Sequence, residues 1–247
     1  MLGDADGHVP LWMTKAVYPG ENRAGIVGSD DFDDASLKLY WQWNHNPVDS
    51  CWSLAERPGH LRLKTARVVD NLFLAPNTLT QRMPGPRCSG TVALDLSGMK
   101  EGDVAGFSAF NGLSGVLAVT CSQGKKWIAM AEEDVVLTGE TKRVTDVKRT
   151  EHERVACQDD RLYLRIDADF LRGKDEATFA YSYDDKTWHS IGRPCPMQFD
   201  YRRMFMGSKF AIFNYATRQQ GGYVDVDFFR LTTFSETPSA PSAAVCE

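Results

Sequence analysis

The feature that most constrains this chain is an alternation of apolar and polar residues with a period of two. It recurs in four separate stretches, at residues 61–65, 92–96, 162–166 and 224–228. Successive side chains of an extended strand point to opposite faces, so each stretch places one apolar face inward and one polar face outward. This pattern is typical of half-buried strands in antiparallel sheets.

Turn-forming sequences separate these stretches, and helical periodicity is nearly absent. Turns are predicted at Pro58–Gly59 and Gln123–Lys125. Two apolar runs that contain glycine, Val104–Phe110 and Phe205–Phe213, predict central strands buried on both faces. Only Asp33–Lys38 indicates a helix, of one or two turns at most. Many short strands joined by turns predict an all-β fold, a two-sheet antiparallel sandwich.

The two ends of the chain differ from this region. Residues 1–28 have no sustained period and are interrupted by glycine and proline, as a linker is. Residues 235–247 are small, polar and rich in proline, and we expect them to form a disordered tail. The total of 247 residues suits one large sandwich, so a single domain over residues 29–234 is predicted.

Charge and hydropathy narrow the classes of partner. The formal net charge is −5 with both signs scattered along the chain, which argues against nucleic acid or an anionic membrane as the main partner. No apolar run reaches the roughly 20 residues that a membrane-spanning helix needs. The first ten residues lack the basic and apolar regions of a signal peptide, so they assign no location.

The cysteines do not form a recognisable metal or redox motif. The six of them are far apart in sequence, and none belongs to a Cys-x-x-Cys pair. We therefore predict mostly buried free thiols, with one or two disulfide bridges as the alternative.

Catalytic carboxylates are the first chemistry to consider in a sandwich, because glycoside hydrolysis requires two acids placed together. Two acidic clusters, Glu132–Asp134 and Glu151–Glu153, lie in polar stretches that predict solvated turns. Asp225 and Asp227 share one face of a predicted strand, but no third acid lies nearby in sequence, which favours a structural or calcium-binding role. Nucleophile-elbow and histidine metal motifs are also missing from the sequence. These observations argue against a self-contained hydrolase.

A cluster of tryptophans is the sequence feature that favours a sugar-binding function. Trp41, Trp43 and Trp52 fall within twelve residues, and on a strand Trp41 and Trp43 would share a face. Aromatic rings stack on the apolar face of a sugar, while neighbouring polar groups bind its hydroxyl groups. Trp41, Trp43 and His45 are therefore candidate sugar contacts. The alternative interpretation places these rings in the core or in a domain interface.

Several blocks, in order, resemble one family: Trp41–Pro47, Glu56–Leu63, Asn77–Arg82, Asp103–Phe107, Tyr181–Trp188, Lys209–Thr217 and Gly221–Phe229. This order resembles the C-terminal concanavalin-A-like domain of family-43 glycoside hydrolases, the β-xylosidases and α-L-arabinofuranosidases. The resemblance implies a concanavalin-A-like jelly roll.

The resemblance also implies a function. In that family the sandwich accompanies a catalytic propeller that carries the acidic groups, and this sequence contains no propeller. The implied role is a non-catalytic accessory domain that packs on the propeller in cis and shapes a pocket for xylo- or arabino-oligosaccharides. Residues 1–28 would be the end of the catalytic domain and its linker, in a parent protein that is secreted or held in the cell envelope. The alternative is an autonomous carbohydrate-binding module.

Two sets of site residues follow from the same resemblance. By position, Phe210 matches an aromatic residue that forms part of the pocket wall in some family members, and a place in the core is its alternative. Related sandwiches often hold a structural Ca²⁺ between the first and last strands. Asp31 or Asp30, together with Asp227, would supply the oxygen ligands that this ion prefers.

Overall fold

The chain folds into two antiparallel sheets packed face to face. The computed structural model describes residues 25–139, 143–197, 200 and 207–234. Through these residues run the strands β1 Gln42–Trp43, β2 Trp52–Ser53, β3 Leu61–Lys64, β4 Leu79–Arg82, β5 Arg87–Asp95, β6 Asp103–Phe110, β7 Leu113–Ser122, β8 Lys125–Leu137, β9 Val144–Ala156, β10 Arg161–Asp169, β11 Glu176–Ser182, β12 His189–Ser190, β13 Cys195–Pro196, β14 Lys209–Ala216 and β15 Tyr223–Phe234.

The order of strands in each sheet brings distant parts of the chain together. One sheet has seven strands in the order β1-β4-β14-β6-β7-β8-β9. The other follows the order β12-β11-β10-β5-β15-β3-β2, and β13 pairs with β11. Every pairing between these strands is antiparallel. The predicted two-sheet antiparallel sandwich is confirmed.

The alternating stretches supply the core between the two sheets. Their inward-facing members are fully buried: Leu61, Leu63, Val92, Leu94, Leu96, Leu162, Leu164, Ile166, Val224 and Val226. Burying each such side chain contributes about 1.5–3 kcal/mol, which makes this layer the main source of stability. The two predicted central strands are β6 and β14, and both are buried at every position. The first residues of the second run, Phe205 and Met206, lie outside the described residues.

A second, smaller apolar cluster lies on the outer face of the seven-stranded sheet. Val104, Phe213 and Tyr215 belong to it and are separate from the core between the sheets. The connection between β3 and β4 covers them, with Leu72 buried at the start of a 3-10 turn. This connection covers only part of the outer face of the seven-stranded sheet.

The turn between β7 and β8 follows from its sequence. Gln123 and Gly124 have φ angles of 55° and 70°, which are left-handed backbone conformations. Two consecutive left-handed residues form the type I′ turn, whose twist matches that of the flanking strands.

The predicted short helix at Asp33–Lys38 is wrong, because this segment consists of bends and irregular backbone. Contacts at both ends hold it in that shape. Phe32 adopts a left-handed φ of 52° and buries its ring, and the Lys38 Nζ lies 3.0 Å from the Asp30 carboxylate. Tertiary contacts therefore override a weak local preference.

Five cysteines lie in the described residues, and all five are free thiols, but only two of them are buried, so the prediction of mostly buried thiols is wrong. Cys88 and Cys195 are fully buried, and burial raises the pKa of each to about 12. Such thiols stay protonated and unreactive at neutral pH. Cys246 lies outside the described residues.

No helix within the described ranges has the length and apolar character needed to cross a membrane.

Candidate functional site

Trp41 is a core residue. Its side chain is only 7% exposed, and its ring lies 5.8 Å from the Phe32 ring and 5.2 Å from the Phe229 ring. The indole Nε1 donates a hydrogen bond of 2.7 Å to Asp30 Oδ2. An indole enclosed in this way has no free face for a sugar. Trp41 therefore belongs to the core, which was the alternative interpretation of its role.

Asp30 fixes the start of the domain to its last strand. Its backbone exchanges two hydrogen bonds of 2.8 Å with Phe229. Its buried carboxylate accepts from the Trp41 indole, from the Phe32 backbone N–H at 3.1 Å and from the Lys38 Nζ at 3.0 Å. The hydrogen bond to Asp30 raises the pKa of Lys38, so the ammonium group remains charged. These contacts give Asp30 a structural role.

Trp43 and Trp52 form a half-buried aromatic pair where the edges of the two sheets meet. Trp43 lies on β1 and Trp52 on β2, the edge strands of the seven-stranded and eight-stranded sheets respectively. Their ring centroids are 5.3 Å apart with an interplanar angle of 53°. Both rings pack against the core and keep part of their surface exposed. Of the predicted aromatic contacts, Trp43 therefore retains a surface that a partner can touch.

His45 holds the loop after β1 against the connection between β3 and β4. Its Nε2 lies 2.6 Å from the Phe73 carbonyl oxygen. Because a carbonyl oxygen can only accept a hydrogen bond, Nε2 is protonated and is the donor. The imidazole also stands edge-on to the Phe73 ring, at 6.1 Å between centroids. The backbone N–H of Val48 donates to Asn77 Oδ1 at 2.9 Å, which adds a second link between the same two segments. His45 is exposed, but one of its ring nitrogens already has a partner.

Several large apolar side chains in the segment before β1 and in the connection between β3 and β4 face solvent. Ile26 is 79% exposed and Leu39 is 101% exposed in the segment before β1, while Val68 at 45% and Leu74 at 43% lie between β3 and β4. We call these four residues the exposed apolar set. The sequence analysis missed them because they lie in irregular segments, where no periodicity marks the exposed face.

Phe210 lies in the core between the sheets. Its side chain is fully buried, stacked on Phe107 at 5.5 Å with an interplanar angle of 11° and in contact with Phe229 at 5.6 Å. A Cβ atom at Gly90 would lie 2.7 Å from the Phe210 ring, so the absence of a side chain there makes room for it. Phe210 presents no face to a sugar.

The proposed calcium ligands do not form an oxygen cage. Asp31 is exposed, whereas the carboxylate of Asp227 pairs with Arg161 and lies 3.8 Å from His60 Nε2. The Asp30 carboxylate is already bonded to the Trp41 indole and to Lys38. Within the described residues, no group of three or more His, Cys, Asp or Glu side chains is placed to hold a metal ion. The Asp30 and Asp227 carboxylates do not fit Ca²⁺, because they face cations and N–H groups.

The prediction of a solvated turn at Glu132–Asp134 is wrong. These residues lie in the middle of β8, and Glu132 and Glu133 are 9% and 2% exposed. Glu133 accepts from Arg149 Nη1 at 2.6 Å and from the Leu72 backbone N–H at 2.9 Å, which anchors the connection between β3 and β4. Arginine partners allow acids to occupy a buried strand. Glu132 and Glu133 are neighbours on one strand, so they point to opposite faces and cannot act as a catalytic pair.

The second acidic cluster, Glu151–Glu153, also lies in a strand, β9, where a turn was predicted.

In the eight-stranded sheet, Asp225 is 2% exposed and accepts hydrogen bonds from Arg62 at 2.7 Å and from Arg57 at 2.9 Å. Burial opposes ionisation of Asp225, but these hydrogen bonds outweigh it and lower the pKa. A carboxylate held ionised by two arginines is a poor general acid, so its role is structural.

Known proteins resemble this chain along most of its length. The family model of the β-xylosidase C-terminal concanavalin A-like domain matches residues 29–232. A β-xylosidase of Formosa agariphila is 31% identical over 222 residues, which cover 81% of this chain and 34% of that protein. The chain thus spans about a third of this curated relative.

Solved structures agree with this match. A bifunctional GH43-CE protein of Bacteroides eggerthii is 42% identical, with a TM-score of 0.75 over 84% of this chain and 26% of its own. A GH43 glycoside hydrolase engineered to display both endo-xylanase and exo-arabinofuranosidase activity is 30% identical, with a TM-score of 0.79 over 94% of this chain and 46% of its own. The chain therefore belongs to the family of β-xylosidase C-terminal concanavalin A-like domains of GH43 proteins.

Proposed function

We propose that this chain is the non-catalytic accessory domain of a family-43 glycosidase that acts on xylan or arabinan. In this role it packs against the catalytic propeller in cis and shapes the mouth of its sugar pocket. The observation that carries the proposal is the extent of the family match. Almost the whole described domain corresponds to a part, about a third, of a longer β-xylosidase.

The acids and the exposed surface support the same role. Glu132, Glu133, Asp225 and Asp227, the buried or partly buried acids weighed as catalytic or metal-binding groups, each pair with an arginine. The exposed apolar set and the Trp43–Trp52 pair lie in the segments around β1, β2 and the β3–β4 connection. Covering one fully exposed large apolar side chain contributes about 1.5–3 kcal/mol, so a partner domain that covers these side chains would be favoured.

A domain exchange tests the proposal. Residues 29–234 would replace the matching C-terminal domain of the Bacteroides eggerthii GH43-CE protein, and hydrolysis of nitrophenyl xyloside and nitrophenyl arabinofuranoside would be measured. We expect the exchanged protein to keep the activity and the thermal stability that the catalytic domain has with its own partner. We expect the isolated chain to hydrolyse neither substrate.

Matched variants locate the interface. Leu39→Glu combined with Leu74→Glu should lower the melting temperature of the catalytic domain in the exchanged protein. Val144→Glu, a control at a 37% exposed position on β9, should not lower it. The proposal is refuted if the isolated chain shows turnover that survives repurification, or if the exchanged domain leaves the catalytic domain as unstable as it is alone.

A further inference from the structure

A cleft of about 540 Å³ opens where β8 begins and β9 ends. It is bordered by the turn residue Gly124, by the first residues of β8 and by residues 157–160, which join β9 to β10. Pockets that bind small ligands measure about 300–1,000 Å³, so this space suits a short ligand. We call it the strand-end cleft.

The strand-end cleft lies at the opposite edge of the seven-stranded sheet from the Trp43–Trp52 pair. β9 is the last strand of that sheet and β8 lies next to it, whereas β1, which contains Trp43, is the first. A catalytic domain that packs against the Trp43–Trp52 pair therefore need not cover the cleft.

Hydrogen bonds fix the backbone of residues 157–160 at the border of the cleft. The Cys157 backbone N–H donates to the Lys126 carbonyl oxygen at 2.9 Å. The Gln158 backbone N–H donates to the Tyr183 hydroxyl group at 3.0 Å. A border that is already formed loses less conformational entropy when a ligand binds.

Trp127 contributes an aromatic side chain to the cleft. It lies on β8 between Thr120 of β7 and Ala156 of β9, and it belongs to neither apolar cluster. Trp127 is half-buried, so part of its surface is open to solvent, in contrast to the enclosed Trp41. The apolar face of a sugar ring packs well against an aromatic surface of this kind.

The charged side chains that line the cleft cancel one another. There are two lysines and two aspartates: Lys125, Lys126, Asp159 and Asp160. Lys126 and Asp160 form an ion pair with each other. Within the described residues, the exposed Lys125 and Asp159 side chains have no ion-pair partner, and one carries a positive and the other a negative charge.

The nearest charges outside the border do not alter this balance. Glu101 and Arg161 both form hydrogen bonds with residues of the border. Each has a partner of its own, since Glu101 pairs with Arg218 and Arg161 pairs with Asp227. An anion or a cation in the cleft would meet as many like as opposite charges, so the cleft favours an uncharged ligand.

We propose that the strand-end cleft binds an uncharged saccharide. The sugar packs on Trp127, and its hydroxyl groups bind the Lys125 ammonium group, the exposed Gln158 amide and the Asp159 carboxylate. A hydroxyl group both donates and accepts, so it matches this mixture of donors and acceptors. The site gives the domain its own affinity for polysaccharide. Only the choice of xylan and arabinan fragments as probes rests on the proposed function.

Calorimetric titration of the full chain tests the proposal with three uncharged trisaccharides: xylotriose, arabinotriose and cellotriose. We expect at least one of them to bind at about millimolar concentration or below. Its affinity should hardly change between low and high salt, because salt screens contacts between charges. Trigalacturonate, which has a carboxylate on each ring, should bind more weakly. Binding of cellotriose alone would support the site and contradict the substrate of the proposed function.

Variants assign the site. Trp127→Ala should weaken binding by about tenfold or more. Lys125→Ala combined with Gln158→Ala should also weaken it, and this double variant changes only exposed side chains, so we expect it to fold. Trp188→Ala is the matched control, because Trp188 is a half-buried tryptophan that packs against Arg165 of the eight-stranded sheet. Thermal unfolding of each variant checks that it is folded.

Four results would each overturn the proposal. They are no binding of any uncharged trisaccharide at millimolar concentration, tighter binding of trigalacturonate, unchanged affinity in the Lys125 and Gln158 double variant, and an equal loss of affinity in Trp188→Ala. These results concern binding by the chain alone, so they are distinct from a failure of the domain exchange, which concerns the stability and activity of a catalytic domain.

Discussion

Phe210 provides the sharpest test of the reasoning, because the family resemblance assigns it to a sugar pocket and the structure places it in the core. Phe210→Ala removes a fully buried ring that stacks on Phe107 and contacts Phe229. Truncating a buried Phe costs about 3–5 kcal/mol, and the cost rises when the site cannot collapse. Gly90 lies against the ring and has no side chain to fill the space, so we expect a value near the upper end of that range.

The same geometry predicts a compensating pair. In the wild-type background, Gly90→Ala would place a Cβ 2.7 Å from the Phe210 ring, and such overpacking costs about 1–3 kcal/mol. In the Phe210→Ala background the methyl group would enter the vacated space. The double variant should therefore be more stable than the sum of the two single effects predicts, by about 1 kcal/mol or more.

Urea unfolding and thermal melting of the isolated chain measure these quantities. For a domain of this size, 3–5 kcal/mol corresponds to a fall of about 6–20 °C in melting temperature. Phe234→Ala is the matched control, because that ring is 44% exposed and its removal should change stability by about 0.5 kcal/mol or less. If Phe210→Ala melts as the control does, the core assignment is wrong. If the two substitutions are strictly additive, the account of Gly90 is wrong.

Three further substitutions report on buried or partly buried polar groups. Trp41→Phe removes the indole donor to the buried Asp30 carboxylate and should lower the free energy of unfolding in urea by about 1–3 kcal/mol; an unchanged value would contradict the proposed anchoring. Glu133→Ala removes the acceptor of the Leu72 backbone N–H, so hydrogen exchange at that amide should accelerate while exchange in β10 stays unchanged. Asp95→Asn tests the pH dependence. Burial opposes ionisation of Asp95, but hydrogen bonds from Ser97 and Arg57 lower its pKa to about 2. Its stabilisation is therefore present above about pH 4 and lost as the pH falls toward 2, and after allowance for solvent screening it amounts to about 1 kcal/mol. Between pH 6 and pH 2 the melting temperature should thus fall more steeply in the wild type than in the variant. Equal slopes would refute the stabilising role of the ionised Asp95 carboxylate.

The aromatic residues show how far sequence reasoning reaches toward the candidate site. Three tryptophans close together predicted a contact region, and two of them, Trp43 and Trp52, are partly exposed at the edges of the two sheets. The sequence could not show which of the three rings is buried and which are exposed. Trp41 lies in the core because Asp30 and Phe229 pack against it. Phe229 reaches Trp41 only because the last strand pairs with the segment that contains Asp30.

The acids show the complementary failure. A run of charged residues predicts a solvated turn when its partners are unknown, and Glu132 and Glu133 were assigned in that way. In the fold they lie on a buried strand, because Arg149 and Arg193 neutralise them. Arg193 is 61 residues distant in sequence, so no local pattern announces this pairing.

The sequence by itself determined the four alternating strands, the sandwich and the family. Alternation with a period of two is a property of adjacent residues, and turn chemistry at Gln123–Gly124 is equally local, so both can be read without knowledge of the fold. Only the tertiary structure decided which rings are core and which acids are neutralised by arginine. These outcomes depend on which distant strands pair and on which face of the sheet each side chain occupies, and such contacts exist only once the chain has closed on itself.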